Sequence, residues 1–318
     1  TGVKARIIVL CGKWFPTGCH KVGASFGCLA PRLVTGQFDP TYNKAVWPST
    51  GNYCRGGAYN SKLLGCESVA ILPAEMSKER FDWLSKIAGE VIATPGCESN
   101  VKEIFDKTWE LRRTRKDVVI FNQFEEMGNV LWHYQVTGKA IADAYESLKT
   151  DTTRFAGACF TSGSAGTMSA GDYLKEQYPH AKLAVGEALQ CPTLLENGFG
   201  GHRIEGIGDK HVPWVHNVKN TDMVIDIDDE DSQNLLRLFN TEDGHRYLTE
   251  IVGVPKETVD QLSLLGISGI ANVLCCIKFA KYYELTENDV VATVGRIPPR
   301  CTPRALRNST SSRAPTTC

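Results

Sequence analysis

Short apolar runs rich in β-branched residues alternate along this chain with longer stretches whose apolar positions recur at helical spacing. By this pattern the strand candidates are Ala5–Leu10, Lys44–Trp47, Val69–Leu72, Val91–Ala93, Val118–Phe121, Phe155–Phe160, Leu183–Gly186 and Met223–Ile227. Lys78–Ala88, Val101–Arg113 and Gly269–Tyr283 read as helices. Such alternation predicts an α/β fold, with two open αβα domains built on mostly parallel sheets. One layer is expected over residues 35–140, and the other over residues 141–294, with residues 1–34 returning to pair with it. No sequence repeat or long linker interrupts the pattern. Ligands in open sheets of this kind bind beyond the carboxyl ends of the strands. The turns at those ends are therefore where chemistry is expected.

Composition narrows the function classes. A chain of 318 residues can bury a substantial core and is long enough for two domains. Its 35 basic and 36 acidic residues leave a formal charge of −1, so nothing electrostatic points to nucleic acid or an anionic membrane as a partner. Twelve cysteines are present without a CxxC pair, which suits reduced, mostly buried thiols. His202, His211 and His216 lack the helical i,i+4 spacing of a catalytic metal site, and no metal is expected. No charged-then-apolar leader and no bilayer-length apolar run is read, so the expectation is a soluble, cytoplasmic protein. The chain begins at Thr1 without an initiator Met; an N-terminal segment preceding it is one expectation. Arg296–Cys318 carries five arginines and no acidic residue amid Pro, Ser and Thr, a composition expected to stay disordered.

Three turns carry candidate chemistry. Lys21 stands in PTGCHKVGASFG, after a strand and a Pro/Gly turn, where a helix should begin. An ammonium partly withdrawn from water there has a lowered pKa, and the freed amine can form an imine with an aldehyde cofactor. A solvated surface lysine is the competing reading. PSTGNYCRGG (Pro48–Gly57) follows a second strand, and TSGSAGTMSAG (Thr161–Gly171) a third. In the latter, Gly163 and Gly166 let the backbone approach an anion, while Ser164 and Thr167 offer hydroxyls at a helix N-terminus, which suits a phosphate. An ordinary helix cap would explain the same residues, and neither the GxGxxG nor the P-loop spacing is present.

Taken in order along the chain, these turns resemble the fold-type II pyridoxal phosphate enzymes, the family of cysteine synthase, cystathionine β-synthase and the tryptophan synthase β subunit. PTGCHK resembles the family's lysine motif, STGN (Ser49–Asn52) its substrate-carboxylate loop, and NQF (Asn122–Phe124) with His133 and TGKAI its glutamine loop. LPAEMSKER (Leu72–Arg80) and GEVIATPG (Gly89–Gly96) resemble the segment that follows the carboxylate loop in cysteine synthases. GSAGT (Gly163–Thr167) resembles the phosphate cup, GGHRIEGIG (Gly200–Gly208) the glycine-rich stretch flanking the cofactor, and GIS (Gly266–Ser268) the serine turn. The resemblance implies pyridoxal 5'-phosphate in the cleft between the domains, with Lys21 as its imine anchor and later as the base at Cα. It implies that Gly163, Ser164, Ala165, Gly166 and Thr167 cradle the phosphate and that Asn52 bonds the ring hydroxyl. Ser49, Thr50, Gly51 and Gln123 would clamp the substrate carboxylate.

The same resemblance places Ser268 beside the pyridine nitrogen, where a hydroxyl makes a shallower electron sink than a carboxylate and suits β-elimination or β-replacement more than transamination. The implied partners are a small amino acid with a β-leaving group and a small nucleophile, in a homodimer. Each site residue also has a plainer reading: Asn52 as a left-handed turn residue, Gln123 as a surface amide, Thr50 as a helix cap, Ser268 as the N-cap of the helix that follows. After Asn52 the chain departs from cysteine synthases with Tyr53, Cys54 and Arg55. Arg55 or Tyr53 either reads a polar group on the substrate side chain, such as a carboxylate or phosphate, or Arg55 faces solvent. His20 either lies near the cofactor phosphate or is a packed structural histidine. A serine or threonine dehydratase and a non-catalytic pseudoenzyme stay open as alternatives to a cysteine synthase-like lyase or transferase.

Overall fold

The computed structural model describes residues 2–96, 101–198, 200–208 and 210–295; the tail Arg296–Cys318 lies outside the described residues. In chain order the elements are β1 (Arg6–Cys11), α1 (Lys21–Val34), β2 (Lys44–Pro48), α2 (Asn52–Leu63), β3 (Glu67–Pro73), α3 (Lys78–Leu84), β4 (Glu90–Thr94), α4 (Val101–Thr114) and β5 (Val118–Ile120). They continue with α5 (Met127–Trp132), a π-helical stretch (His133–Gly138), α6 (Lys139–Leu148), β6 (Arg154–Thr161), α7 (Met168–Gln177), β7 (Lys182–Ala188) and β8 (Met223–Ile227). The last are α8 (Asp229–Asn240), α9 (Glu242–Arg246), α10 (Lys256–Leu262), α11 (Ile267–Tyr282) and β9 (Asp289–Gly295).

These strands form two sheets, one ordered β4-β3-β2-β5 and the other β1-β9-β6-β7-β8. Every strand pair among the described residues is parallel. The sequence explains why: Ser68–Pro73 and Phe155–Thr161 are buried at every position, as strands covered by helices on both faces must be. In the smaller sheet's core Trp47 stacks on Phe121 with ring centroids 4.5 Å apart, an aromatic pair worth about 1 kcal/mol beyond its burial.

Three features differ from the sequence pattern. β9, absent from the strand candidates, lies between β1 and β6 in the larger sheet. The helix expected over Lys78–Ala88 stops at Leu84 and continues only as turns. α1 does not follow β1: although β1 pairs with β9, Ala24, Cys28 and Leu29 of α1 pack with Trp47, Leu72 and Phe121 in the core of the smaller sheet.

Close helix crossings hold α1 there. A Cβ on Gly56 of α2 would lie 2.7 Å from the Lys21 carbonyl oxygen, and Gly27 of α1 meets Gly128 of α5 so closely that either Cβ would strike the other's carbonyl, at 2.5 and 2.3 Å. Glycine at these positions lets the backbones touch, and the first turn of α1 is thereby fixed in the cleft. No single helix among the described residues is long and apolar enough to cross a membrane.

Candidate active site

Lys21 is the first residue of α1, and its amine stands at the centre of the cleft. Its Nζ donates to Gln123 Oε1 at 2.8 Å and to Ser164 Oγ at 2.6 Å, residues 102 and 143 positions away in sequence. The Tyr53 ring lies 5.9 Å from the same nitrogen. Desolvation brings the ammonium down to about 8, against small opposing effects of Cys19 and Cys28. The plain reading of a solvated surface lysine is thereby set aside.

Two adjoining cavities, of about 590 and 550 Å³, share Lys21, Asn52, Gly163, Ser164, Gly206 and Ile207. They are two lobes of one cleft. Ser49, Thr50, Gln123 and an apolar wall of Val101, Ile104, Phe105 and Phe124 line the first. Cys19, His20, Gly163–Thr167 and Ser268 line the second.

The second lobe is built mainly from backbone. β6 ends at Thr161, the chain turns through Ser162–Thr167, and α7 starts at Met168. Ala165 holds a φ of 55°, uncommon for a residue with a side chain. Thr167 occupies the N-cap of α7 but its side chain makes no capping bond, so its hydroxyl is not spent on the helix. A Cβ on Gly166 would fall 2.2 Å from Asn129 Oδ1, so only glycine fits. Free backbone N–H groups at a helix start suit an anion of phosphate type. Ser268 lies opposite on α11, but it is not the cap expected: the helix begins at Ile267 with Gly266 as N-cap.

The first lobe is built from side chains. Asn52 is the first residue of α2 and is helical, not a left-handed turn residue. Gly51, not Thr50, is the N-cap of α2, with a φ of 150°, and Ser49 Oγ accepts from its N–H at 3.0 Å. Gly51 does not itself line the cleft. Gln123 is buried, not a surface amide. The Tyr53 ring lines the lobe, but its hydroxyl points into the core and donates to Cys28 Sγ at 3.4 Å.

One predicted substrate residue is displaced. Arg55 lines neither lobe; its guanidinium packs over the Trp83 ring at 4.6 Å. The aromatic surface of α3 captures it, a contact invisible in the local sequence, and keeps Arg55 away from the substrate side of the cleft.

Three supporting residues escaped the sequence reading. Asn272 Oδ1 accepts from the Thr161 N–H at 2.7 Å while its Nδ2 donates to the Val294 carbonyl at 2.8 Å, locking the ends of β6 and β9 together under the second lobe. A single Asn inside the apolar helix α11 was the available signal. Asn129 Nδ2 donates to the Gln123 carbonyl at 3.0 Å and reaches Ser164 Oγ at 3.4 Å, joining the two lobes. Arg80, fully enclosed on α3, contacts the Ser49–Asn52 loop from behind. His133, named only within a motif, is buried beside His20 with ring centroids 4.9 Å apart and its Nδ1 2.9 Å from Thr137 Oγ1. Burial, and then the neighbouring charges of His20 and Lys21, hold its pKa well below the usual histidine value. Among the described residues no cluster of His, Cys, Asp or Glu could hold a metal, and the nine described cysteines are all free.

An amine with a lowered pKa, an anion cradle on one side and a hydroxyl-lined lobe on the other are the donor set a phosphorylated aldehyde cofactor requires. The chain belongs to the pyridoxal-phosphate dependent enzyme family, whose model matches residues 14–247, and pyridoxal phosphate is its cofactor. Within that family it is a lyase or transferase of β-replacement and β-elimination, with the fold-type II architecture. It is 29% identical over 230 residues to a probable cysteine synthase of Bacillus subtilis, covering 72% of each chain. It is 28% identical over 250 residues to a cysteine synthase of Staphylococcus aureus, covering 78% of this chain and 72% of that protein. Among solved structures, an O-acetylserine dependent cystathionine β-synthase from Helicobacter pylori superposes with a TM-score of 0.77 at 22% identity, over 94% of this chain and 89% of that one.

Proposed function

We propose that the protein exchanges or expels the β-substituent of a small amino acid, with a small nucleophile such as sulfide as the incoming group. The observation that carries this reading is the position of the Lys21 amine, bonded to Gln123 of one lobe and Ser164 of the other. Gly163–Thr167 would hold the cofactor phosphate, Asn52 its ring hydroxyl and Ser268 its ring nitrogen. When bound, the cofactor supplies an aldehyde that links to an amine and a ring that accepts the electron pair released at Cα. Ser49, Thr50 and Gln123 would grip the substrate carboxylate and so align the Cα–H bond toward Lys21, with Gly51 shaping the turn from outside the cleft. Lys21 would take the Cα proton as the β-group leaves with its bonding pair, and would return a proton to Cα when the nucleophile adds at Cβ.

The wall of the first lobe favours a β-substituent that is uncharged while it is attached. Val101, Ile104, Phe105 and Phe124 offer no charge, and Lys21 is the one cation among its described lining residues. An acyl ester of serine fits such a wall better than a phosphate ester, which would have to shed its hydration unpaired. Cysteine synthase, the name of both sequence relatives, is the nearest description of this activity.

Two coarser properties follow from the same reading. Phe26 of α1 and Met127 and Leu131 of α5 are exposed on neighbouring helices, which supports a homodimer. The free thiols support a reducing, cytoplasmic setting.

Borohydride reduction of the yellow protein followed by peptide mass spectrometry tests the anchor, with the label expected on Lys21. Incubation with O-acetylserine, serine or threonine, with and without sulfide, tests the reaction: sulfide should divert product from keto acid to cysteine. Keto acid from serine or threonine regardless of sulfide would make the protein a dehydratase instead, and a colourless chain that cannot be reconstituted would make it a pseudoenzyme.

A further inference from the structure

The loop that meets the substrate is fastened from behind by a residue that never enters the cleft. Ser49–Asn52 connects β2 to α2 through Gly51, whose φ of 150° and ψ of −54° lie in a region that only glycine adopts without strain. A turn of this kind keeps one shape only if its surroundings impose it. Arg80 imposes it here: its guanidinium lies so close that a Cβ on Gly51 would come within 2.9 Å of Nη1 and 3.2 Å of Cδ. Nη1 donates to the Thr50 carbonyl at 3.0 Å, so the peptide between Thr50 and Gly51 is held directly.

The other arm of the same fork reaches across the cleft. Arg80 Nη2 donates to Glu205 Oε2 at 2.6 Å, a charge-assisted bond between residues 125 positions apart. Glu205 leads into Gly206–Gly208, which line the first lobe. That wall is in turn tied to the cofactor side, because the Gly208 N–H donates to the Ser162 carbonyl at 2.7 Å. Arg80 is 5% exposed and Glu205 36%, so one partner is enclosed and the other sits at the rim. A planar guanidinium can serve the carbonyl and the carboxylate together; a lysine ammonium, a compact point charge, matches that fork poorly.

We propose that Arg80 is a positioning residue which, through Glu205, sets the affinity of the cleft for the amino-acid carboxylate. The inference rests on the reading of Ser49–Asn52 as the carboxylate loop. Loosening the fork lets the Gly51 turn relax into other shapes, and the free enzyme must then spend binding energy to reorder it. The loss falls on amino-acid binding, and the turnover of bound substrate stays close to that of the parent.

The test uses the holoenzyme carrying Arg80→Lys, Glu205→Gln, both together, and Ser49→Ala. Amino-acid affinity is read from the absorbance change of the cofactor on titration and from KM against kcat; cofactor content and the resting spectrum are read alongside. Arg80→Lys and Glu205→Gln should each raise the dissociation constant and KM of the amino acid about tenfold, the scale of one charge-assisted hydrogen bond, with kcat within about twofold. The double variant should be no worse than about the weaker single, since both break one connection. The resting spectrum, the cofactor content and the KM of the nucleophile should not move. Affinities within about twofold of the parent in both single variants, with Ser49→Ala still weakening binding, would overturn the role of Arg80 alone. An unchanged affinity in Ser49→Ala would instead remove the carboxylate-loop reading beneath it. Should Arg80→Lys fold poorly, Glu205→Gln at the rim keeps the test decisive.

Discussion

The two lobes of the cleft are made of different materials. One is walled by the backbone turn Gly163–Thr167 at the start of α7, with glycine required at 166 and Ala165 at positive φ. The other is walled by the side chains of Ser49, Thr50 and Gln123, with a glycine turn and an arginine from α3 behind them. The second, backbone-built lobe is therefore sensitive to added atoms and the first to deleted ones. Lys21 belongs to both, through its bonds to Ser164 and Gln123.

Substitutions of opposite kinds break this comparison. The largest effect should come at the shared residue: Lys21→Ala should cut turnover by more than about 10³-fold, because general-base catalysis alone contributes roughly 10²–10⁴. Steady-state assay with borohydride labelling checks it. Next is pH. Lys21 must be neutral to capture an aldehyde, and its pKa is lowered to about 8. Capture of cofactor by the apoenzyme should therefore quicken about tenfold per pH unit up to about 8 and then level off, as stopped-flow absorbance would record. The sign for stability is consistent: between about 8 and 10.5 the unfolded chain binds more protons at this site than the folded one, so stability rises with pH across that window.

Gly166→Ala adds one carbon to the backbone-built lobe, against the buried Asn129. It should cost about 1–3 kcal/mol of strain and lower cofactor retention and thermal midpoint together, measured by absorbance and calorimetry. Gln123→Ala removes atoms from the side-chain-built lobe, and it should weaken amino-acid binding about tenfold with cofactor content unchanged. The smallest effect on turnover belongs to Arg55→Ala, which should leave KM and kcat within about twofold for every accepted amino acid while losing the stacking on Trp83, worth about 0.5–1 kcal/mol of stability.

The same contrast explains what the sequence disclosed. Strand runs such as Val69–Leu72 and Phe155–Phe160 are legible because burial on both faces demands continuous apolar residues. The Ser162–Thr167 turn is legible because glycine and small hydroxyl residues at a strand end mark a tight turn into a helix. Side-chain placement is less so. Arg55 sits three residues beyond Asn52 on α2, yet Trp83 of α3 decides where it points. Arg80 and Asn272 act on partners 125 and 111 positions away, beyond the reach of any local pattern. The helix after Ser268 starts two residues earlier than its pattern suggests, at Ile267 and not Gly269, so Ser268 lies inside it and not at its cap. The allegiance of α1 was missed because it depends on the glycine crossings with α2 and α5, not on its own periodicity.

The order of strands in the larger sheet carries a consequence for synthesis. β1 is made long before β9, its partner in the sheet, and β9 also flanks β6 and receives Asn272 through Val294. A nascent chain with β9 still inside the exit tunnel thus has β1 without its sheet partner and an unlocked end of β6 beneath the second lobe. The vitamin-derived cofactor should be captured only once Gly295 has emerged.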